Sequence, residues 1–238
     1  MKDNIIVFAP HPDDETLACG GTIAKRLNAG YDVTVVFLTD GRNALSDLGV
    51  FSQPTPLELK EIRKEETRRA TKILGLSEGD LIFLDIEDGR LKESEKIVSK
   101  SITEILKEKR PKAVYFPQRK EYNVDHKTTN RLVRKAINQL HYRPYAYEYL
   151  IAWSYPFNIT SRAHPKSVGK MLKMFVSKLL NFDMAHVDIS EFIAIKKAAI
   201  KEYQSQLKII SPRQKEPVMG TCPMQRFWEN EEVFFVFR

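Results

Sequence analysis

Four short apolar runs rich in β-branched and aromatic residues, at 5–9, 33–38, 81–84 and 113–116, alternate with helical patterns at 16–29, 57–74, 94–109 and 126–140. Strands that alternate with helices of that length form parallel βαβ units with right-handed crossovers. The expected architecture is therefore α/β: a Rossmann-like, doubly wound, mostly parallel sheet with helices on both faces. The stretch Gln53-Pro54-Thr55-Pro56 reads as a loop that ends in a helix start, and no linker, internal repeat or low-complexity tract divides the chain. With 238 residues and 42% hydrophobic content the chain can bury a sizeable core, and residues 1–238 are expected to form a single domain.

Ligands of such sheets gather beyond the carboxyl ends of the strands. The first strand is followed by His11-Pro12-Asp13-Asp14, the second by Thr39-Asp40-Gly41-Arg42, the third by Asp85-Ile86-Glu87-Asp88-Gly89-Arg90, and the fourth by a segment ending Asn123-Val124-Asp125-His126. Turn chemistry favours Asp, Asn and Gly and explains part of this polarity. It does not explain the histidines.

His11 and Asp14 are three apart at a strand-to-helix turn, so both can face one point while Asp13 is aimed elsewhere. His126 arrives from the end of the fourth strand. Two imidazoles and one carboxylate suit a catalytic Zn²⁺, one per chain, with a fourth position left for water; another divalent ion could use the same donors. Such an ion polarises a carbonyl and brings the pKa of a water to about 7, and Asp13, beside the ligands, is placed to act as general base. A helix cap would need only one acceptor and would not call for a second histidine more than a hundred residues away. A dinucleotide site is disfavoured because Gly20-Gly21 lies within the first helical pattern rather than in a Gly-x-Gly-x-x-Gly turn.

These residues resemble the PIG-L/LmbE-like zinc-dependent N-acetylglucosaminyl deacetylases. The family's opening motif, a strand followed by Ala-His-Pro-Asp-Asp-Glu and a helix bearing Gly-Gly, appears as Ala9-Pro10-His11-Pro12-Asp13-Asp14-Glu15 with Gly20-Gly21, Pro10 being the one irregularity. The resemblance implies His11, Asp14 and His126 as zinc ligands and Asp13 as the base. Thr39-Asp40-Gly41 is similar to the family's Thr-x-Gly, Ile62-Arg63-Lys64-Glu65-Glu66 to its Arg-containing helix, Asp88-Gly89-Arg90-Leu91 to its Asp-Gly-x-Leu loop, and Lys197 with Tyr203-Gln204-Ser205-Gln206 to a C-terminal signature read as structural. It thereby implies Arg63, Asp88 and Asp40 as contacts to sugar hydroxyls or a headgroup. One departure stands out: the family's His-Pro-Asp-His is Asn123-Val124-Asp125-His126 here, so Asn123 and Asp125 occupy catalytic positions with no imidazole to share a proton. Either Asp13 performs all the proton transfers, or His164 or His186 substitutes, or activity is reduced.

The net charge of +7 raises the question of nucleic acid, but five of the seven surplus charges fall in one acid-free stretch, on Arg162, Lys166, Lys170, Lys173 and Lys178. No nucleic-acid partner is expected. The stretch is an expansion at about 158–181. Wound as a helix, its 166–180 part sets Val168, Leu172, Phe175 and Leu179 against Lys166, Lys170 and Lys173, which suits a cap packed on the domain or a dock on an anionic membrane. Cys19 and Cys222 make neither a disulfide framework nor a thiolate zinc site, and the first apolar run is too short for a signal peptide or a membrane span, so the expected location is cytoplasmic, with peripheral contact at the inner membrane face if the basic helix docks. The expected reaction is removal of acetyl from an N-acetylglucosamine-containing glycoconjugate, lipid-linked if the membrane reading holds. Metal-dependent hydrolysis of another amide or a phosphoester is one alternative, and a non-catalytic binder of anionic membrane or polymer is another. The sequence leaves the oligomeric state open.

Overall fold

A computed structural model describes residues 3–51, 53–151, 183–220 and 224–237. The basic segment at 158–181, and His164 with it, lies outside them. Seven strands, β1 (Asn4–Ala9), β2 (Asp32–Thr39), β3 (Leu81–Ile86), β4 (Ala113–Pro117), β5 (Tyr145–Tyr149), β6 (Met184–Asp188) and β7 (Glu231–Phe237), form one sheet in the order β3-β2-β1-β4-β5-β7-β6. The first five are mutually parallel, in register from Ile5↔Val33 and Ile5↔Ala113 outward to Tyr115↔Tyr147, while β7 runs antiparallel to β5 and β6. The mostly parallel, doubly wound sheet is the one expected. The last three strands and the helix α5 (Ile193–Ile200) extend it beyond the elements read from the sequence.

Both faces of the central strands are covered, which is why those strands read as continuous apolar runs. Ile5, Val7 and Ala9 point to the face that carries α1 (Asp14–Asn28), α2 (Pro56–Leu74) and α5, packing with Leu17, Ile23, Ala70, Leu74 and Ala199. Ile6 and Phe8 point to the other, where α3 (Glu95–Lys109) and α4 (Val124–Asn138) supply Val98, Ile102, Leu106, Leu132 and Val133. The strand order reverses between β1 and β4, whose following helices α1 and α4 depart to opposite faces. A crevice opens there at the carboxyl ends of the two strands.

Local chemistry fixes the helix ends that border this crevice. Thr55 and Glu58 form a reciprocal capping box with Pro56 in the first turn of α2, and Asn123 caps α4, its Oδ1 accepting from the backbone N–H of Asp125 at 2.7 Å and of His126 at 3.3 Å. Farther along α1, Gly21 lets the helix approach the segment before α5: a Cβ there would fall 2.4 Å from Ile189 Cδ1. The N–H groups of Gly21 and Thr22 donate to the buried Glu232 carboxylate at 2.9 and 2.8 Å, and Lys196 Nζ donates to it at 2.7 Å. The buried lysine of α5 is thus Lys196 rather than its neighbour Lys197. Among the described residues, no helix is long and apolar enough to cross a membrane.

Candidate metal centre and catalytic site

At the turn after β1 the chain is pinned from both sides. Thr39 donates to Pro10 O through its backbone N–H (2.9 Å) and its hydroxyl (2.8 Å), and the His11 N–H donates to Asp14 Oδ2 at 2.9 Å. His11 and Asp14 are thereby turned toward the mouth of β4, where the first turn of α4 presents His126. Three ligand atoms converge. His11 Nδ1 is 3.2 Å from His126 Nε2 and 3.3 Å from Asp14 Oδ2, and His126 Nε2 is 3.2 Å from the same oxygen. Donors bonded tetrahedrally to an ion at about 2.0–2.1 Å stand about 3.3 Å apart, so the triangle fits a small divalent ion with one position left for a further ligand. All three side chains are buried.

The electrostatics agree with the geometry. Burial works against a charge on His11, but the carboxylates of Asp88, Asp125 and Asp14 outweigh it and raise the imidazole well above its usual range. Burial likewise opposes the charge on Asp14, yet His126 and His11 hold that carboxyl far below the usual carboxylate range. The pocket favours positive charge. The outer nitrogen of His11, Nε2, is 3.1 Å from Asp88 Oδ1 and 3.6 Å from Asp125 Oδ2, the arrangement of carboxylates behind a ligating imidazole that fixes its tautomer. Asp88 itself is held down to about 2, the charge and hydrogen bond of His11 overcoming its burial.

Asp13 stands beside this triangle and outside it. It is the N-cap residue of α1 but makes no side-chain cap; its backbone takes a φ of 125°, a conformation costly for any residue with a Cβ. The strained turn sends its carboxylate to Arg63, whose Nη2 donates to Asp13 Oδ2 at 3.0 Å. Burial raises the Asp13 carboxyl, and the charges of Asp14 and Glu15 add to this while Arg63 and His11 oppose it, leaving it pushed up to about 8. Arg63 is 3% exposed and also donates to Pro12 O at 2.5 Å and Gly41 O at 2.9 Å, so one guanidinium ties α2 to the turns after β1 and β2. Gly41, at φ 66°, leaves room for it: a Cβ would sit 2.5 Å from Arg63 Nη1. Gly41→Ala is expected to displace the guanidinium and lower turnover by about 10²-fold, the loss typical of about 1 Å misplacement, with metal content unchanged; steady-state kinetics beside metal analysis read it.

Two buried carboxylates brace the turn from behind. Glu15 accepts from the Asp13 N–H at 3.1 Å and from the Tyr203 hydroxyl, and Glu66, three residues after Arg63, accepts from Ser205 N (2.7 Å) and Oγ (2.6 Å). The signature Tyr203-Gln204-Ser205-Gln206 therefore reaches back to the elements that hold Asp13 and Arg63.

The remaining residues singled out in the sequence lie as follows. Asp125 accepts from Gly89 N at 2.7 Å and Leu91 N at 3.3 Å, so it organises the loop that carries Asp88. Asp40 receives Arg42 Nε at 2.8 Å and lies 3.8 Å from Lys60 Nζ. Asn123 is exposed, with its side-chain oxygen given to the cap of α4. His186 pairs with Glu231 at 3.1 Å on β6, three strands and about 14 Å from β4 at about 4.8 Å per strand, so it does not stand in for the missing imidazole. Sequence reasoning passed over Glu121, whose Oε2 is 3.7 Å from His126 Nδ1, because a glutamate after Gln-Arg-Lys in a polar connection reads as solvated.

The family model described as PIG-L: GlcNAc-PI de-N-acetylase matches residues 6–137, more than half of the chain and all of β1 to α4 except its ends. The chain belongs to this family. Among curated proteins, the diacetylchitobiose deacetylase of Thermococcus kodakarensis is 29% identical over 205 residues, covering 85% of this chain and 69% of that protein. A probable N-acetyl-alpha-D-glucosaminyl L-malate deacetylase 2 of Bacillus subtilis is 23% identical over 246 residues, covering 100% and 99%. Among solved structures, the N,N'-diacetylchitobiose deacetylase of Pyrococcus horikoshii superposes with a TM-score of 0.69 at 20% identity over 99% of this chain and 84% of that one, a likeness of fold. His11, Asp13, Asp14, Arg63, Asp88 and His126 all fall inside the family match.

Proposed function

We propose that this member of the PIG-L family is a metal-dependent N-deacetylase that hydrolyses the N-acetyl group of an N-acetylglucosamine-containing glycoconjugate to acetate and a free amino sugar. The observation that carries the reading is the convergence of His11 Nδ1, Asp14 Oδ2 and His126 Nε2 beside an Asp13 held by Arg63. Zinc, one ion per chain, suits these donors, and when bound it would polarise the amide carbonyl and supply a water acidic enough to attack at neutral pH. Arg63 occupies Asp13 Oδ2, so Oδ1 is the atom assigned to take the proton from the attacking water and return it to the departing amide nitrogen. Asp13 serves both steps in this reading, since among the residues facing the triangle it is the carboxylate left outside the ligand set and Asn123 is spent on the cap of α4.

In this reading Arg63 and Asp88 position Asp13 and His11, and Asp40 shapes the adjoining loop; any contact they make to the sugar comes second to that. The relatives are named as a diacetylchitobiose deacetylase and a probable N-acetylglucosaminyl malate deacetylase, which supports a small amino-sugar glycoside, while the family description names GlcNAc-PI, which keeps a lipid-linked substrate in the test. A cytoplasmic reaction is part of this proposal, supported by two cysteines that make no disulfide framework.

Acetate release from a panel of free, glycosidic and lipid-linked N-acetylglucosamine compounds tests this directly, with metal-loaded protein compared with the chelated form. Release that depends on metal is expected, highest for a glycoside. Phosphate release from a phosphoester with no acetate from any member of the panel would replace the amide by a phosphoryl substrate.

A further inference from the structure

Glu121 is a fully buried carboxylate in a loop between β4 and α4, 0% exposed, and takes no part in the proposed proton transfers. Burial of an ionisable group without a role is costly, so its partners matter. Its Oε1 accepts from the backbone N–H of Ile151, just beyond β5, and its Oε2 lies 3.7 Å from His126 Nδ1. That ring nitrogen is buried and has no hydrogen-bond partner among the described residues. With Nε2 turned to the ligand triangle, Nδ1 must carry the imidazole proton, and a buried N–H needs an acceptor. The loop is held where Glu121 can provide one: its N–H donates to Gln118 O at 3.2 Å, and the Gln118 N–H donates to Tyr149 O at 2.7 Å.

We propose that Glu121 is a positioning residue for the metal: its Oε2 accepts the Nδ1 proton of His126, fixes the tautomer that leaves Nε2 free to ligate, and so sets the affinity of the site. Each ligating histidine then has its own carboxylate behind it, the part-buried Asp88 for His11 and the buried Glu121 for His126. Glu121 differs in being anchored on the backbone that leaves β5, so the affinity is coupled to that exit. The inference rests on the reading of His11, Asp14 and His126 as metal ligands.

The test is the affinity of the full-length protein for Zn²⁺, measured by chelator competition, together with the absorption spectrum of the Co²⁺-loaded form. Glu121→Gln keeps the shape and the acceptor for Ile151 N–H at Oε1, but turns an NH₂ toward Nδ1. The ring is then driven to the tautomer with its proton on Nε2, which cannot ligate. Zinc affinity is expected to fall 10–100-fold, with a shifted Co²⁺ spectrum and an unchanged melting temperature of the metal-free protein. Equal affinity in the two proteins overturns the proposal, as does a lowered metal-free melting temperature with affinity intact, which would make Glu121 structural. If Glu121→Gln does not fold, Glu121→Asp retains the charge and withdraws it from the ring; affinity equal to wild type in that variant also overturns it. A wild-type protein that binds no zinc removes the ligand reading itself, which is a distinct result from wild-type binding that Glu121→Gln leaves unchanged.

Discussion

Replacing Asp13 with Asn lowers kcat for N-acetyl hydrolysis by about 10³-fold, within the range of about 10²–10⁴ that a positioned acid–base group contributes, while stoichiometric metal is retained. The amide keeps an oxygen for Arg63 Nη2, and the guanidinium keeps Pro12 O and Gly41 O, so the scaffold of the site survives. Stability should hold or rise. Asn matches Asp in size and keeps an acceptor for Arg63, and the exchange removes a carboxyl that burial already disfavours as an anion. The expected pair of results, a large loss of rate and a melting temperature no lower than wild type, distinguishes a strained catalytic residue from a structural one. A kcat within about fivefold of wild type would remove Asp13 from the proton path and reopen the question of what replaces the imidazole absent at Asn123.

Much of this site was legible because the topology makes it so. The apolar runs of β1, β2 and β4 are continuous where both faces are covered, and residues that follow such strands share one rim. His11, Asp14 and His126 could be picked out there by residue type alone. Arg63 is different. Taken singly it reads as a solvated helix charge, yet Leu59, Arg63, Glu66 and Ala70 recur at spacings of four, three and four, a buried stripe with two charges embedded in it. That pattern says the charges are partnered, and the structure pairs them with Asp13 and Ser205. Asn123 has a role that the resemblance does not convey: the helix starts at Val124, two residues before the pattern at 126–140, and the side-chain oxygen of Asn123 accepts from Asp125 N and His126 N as its cap.

What the sequence could not show depends on contacts across long separations. Glu121 acquires its meaning from Ile151 and His126, Tyr203 from Glu15, and Glu232 from the backbone of Gly21 and Thr22, and no local periodicity announces any of them. The strands β6 and β7 escaped for a related reason. They add an antiparallel margin to a parallel sheet, and β6 is part-exposed, without the unbroken apolar signature of the centre.

If the proposed ion binds, the crowding of acids gives it a structural role as well as a chemical one. Asp13, Asp14, Glu15, Glu121 and Asp125 are all buried, Asp88 is nearly so, and Arg63 is the single buried guanidinium among them in the described residues. An ion that binds the folded chain and not the unfolded one stabilises it by about 4 kcal/mol when present at about a thousandfold over its dissociation constant. For a chain of this size about 1 kcal/mol shifts the melting temperature by about 2–4 °C, so chelation is expected to lower it by about 8–16 °C. Asp14→Asn should abolish that difference, since the oxygen at the apex of the two histidines would no longer carry the charge that His126 and His11 hold on it, and acetate release should fall to background. Calorimetry of both proteins with and without chelator measures this. A wild-type protein whose melting temperature ignores the chelator would mean that the acids are balanced by protons on His11 and its neighbours, and that the triangle of donors holds no ion.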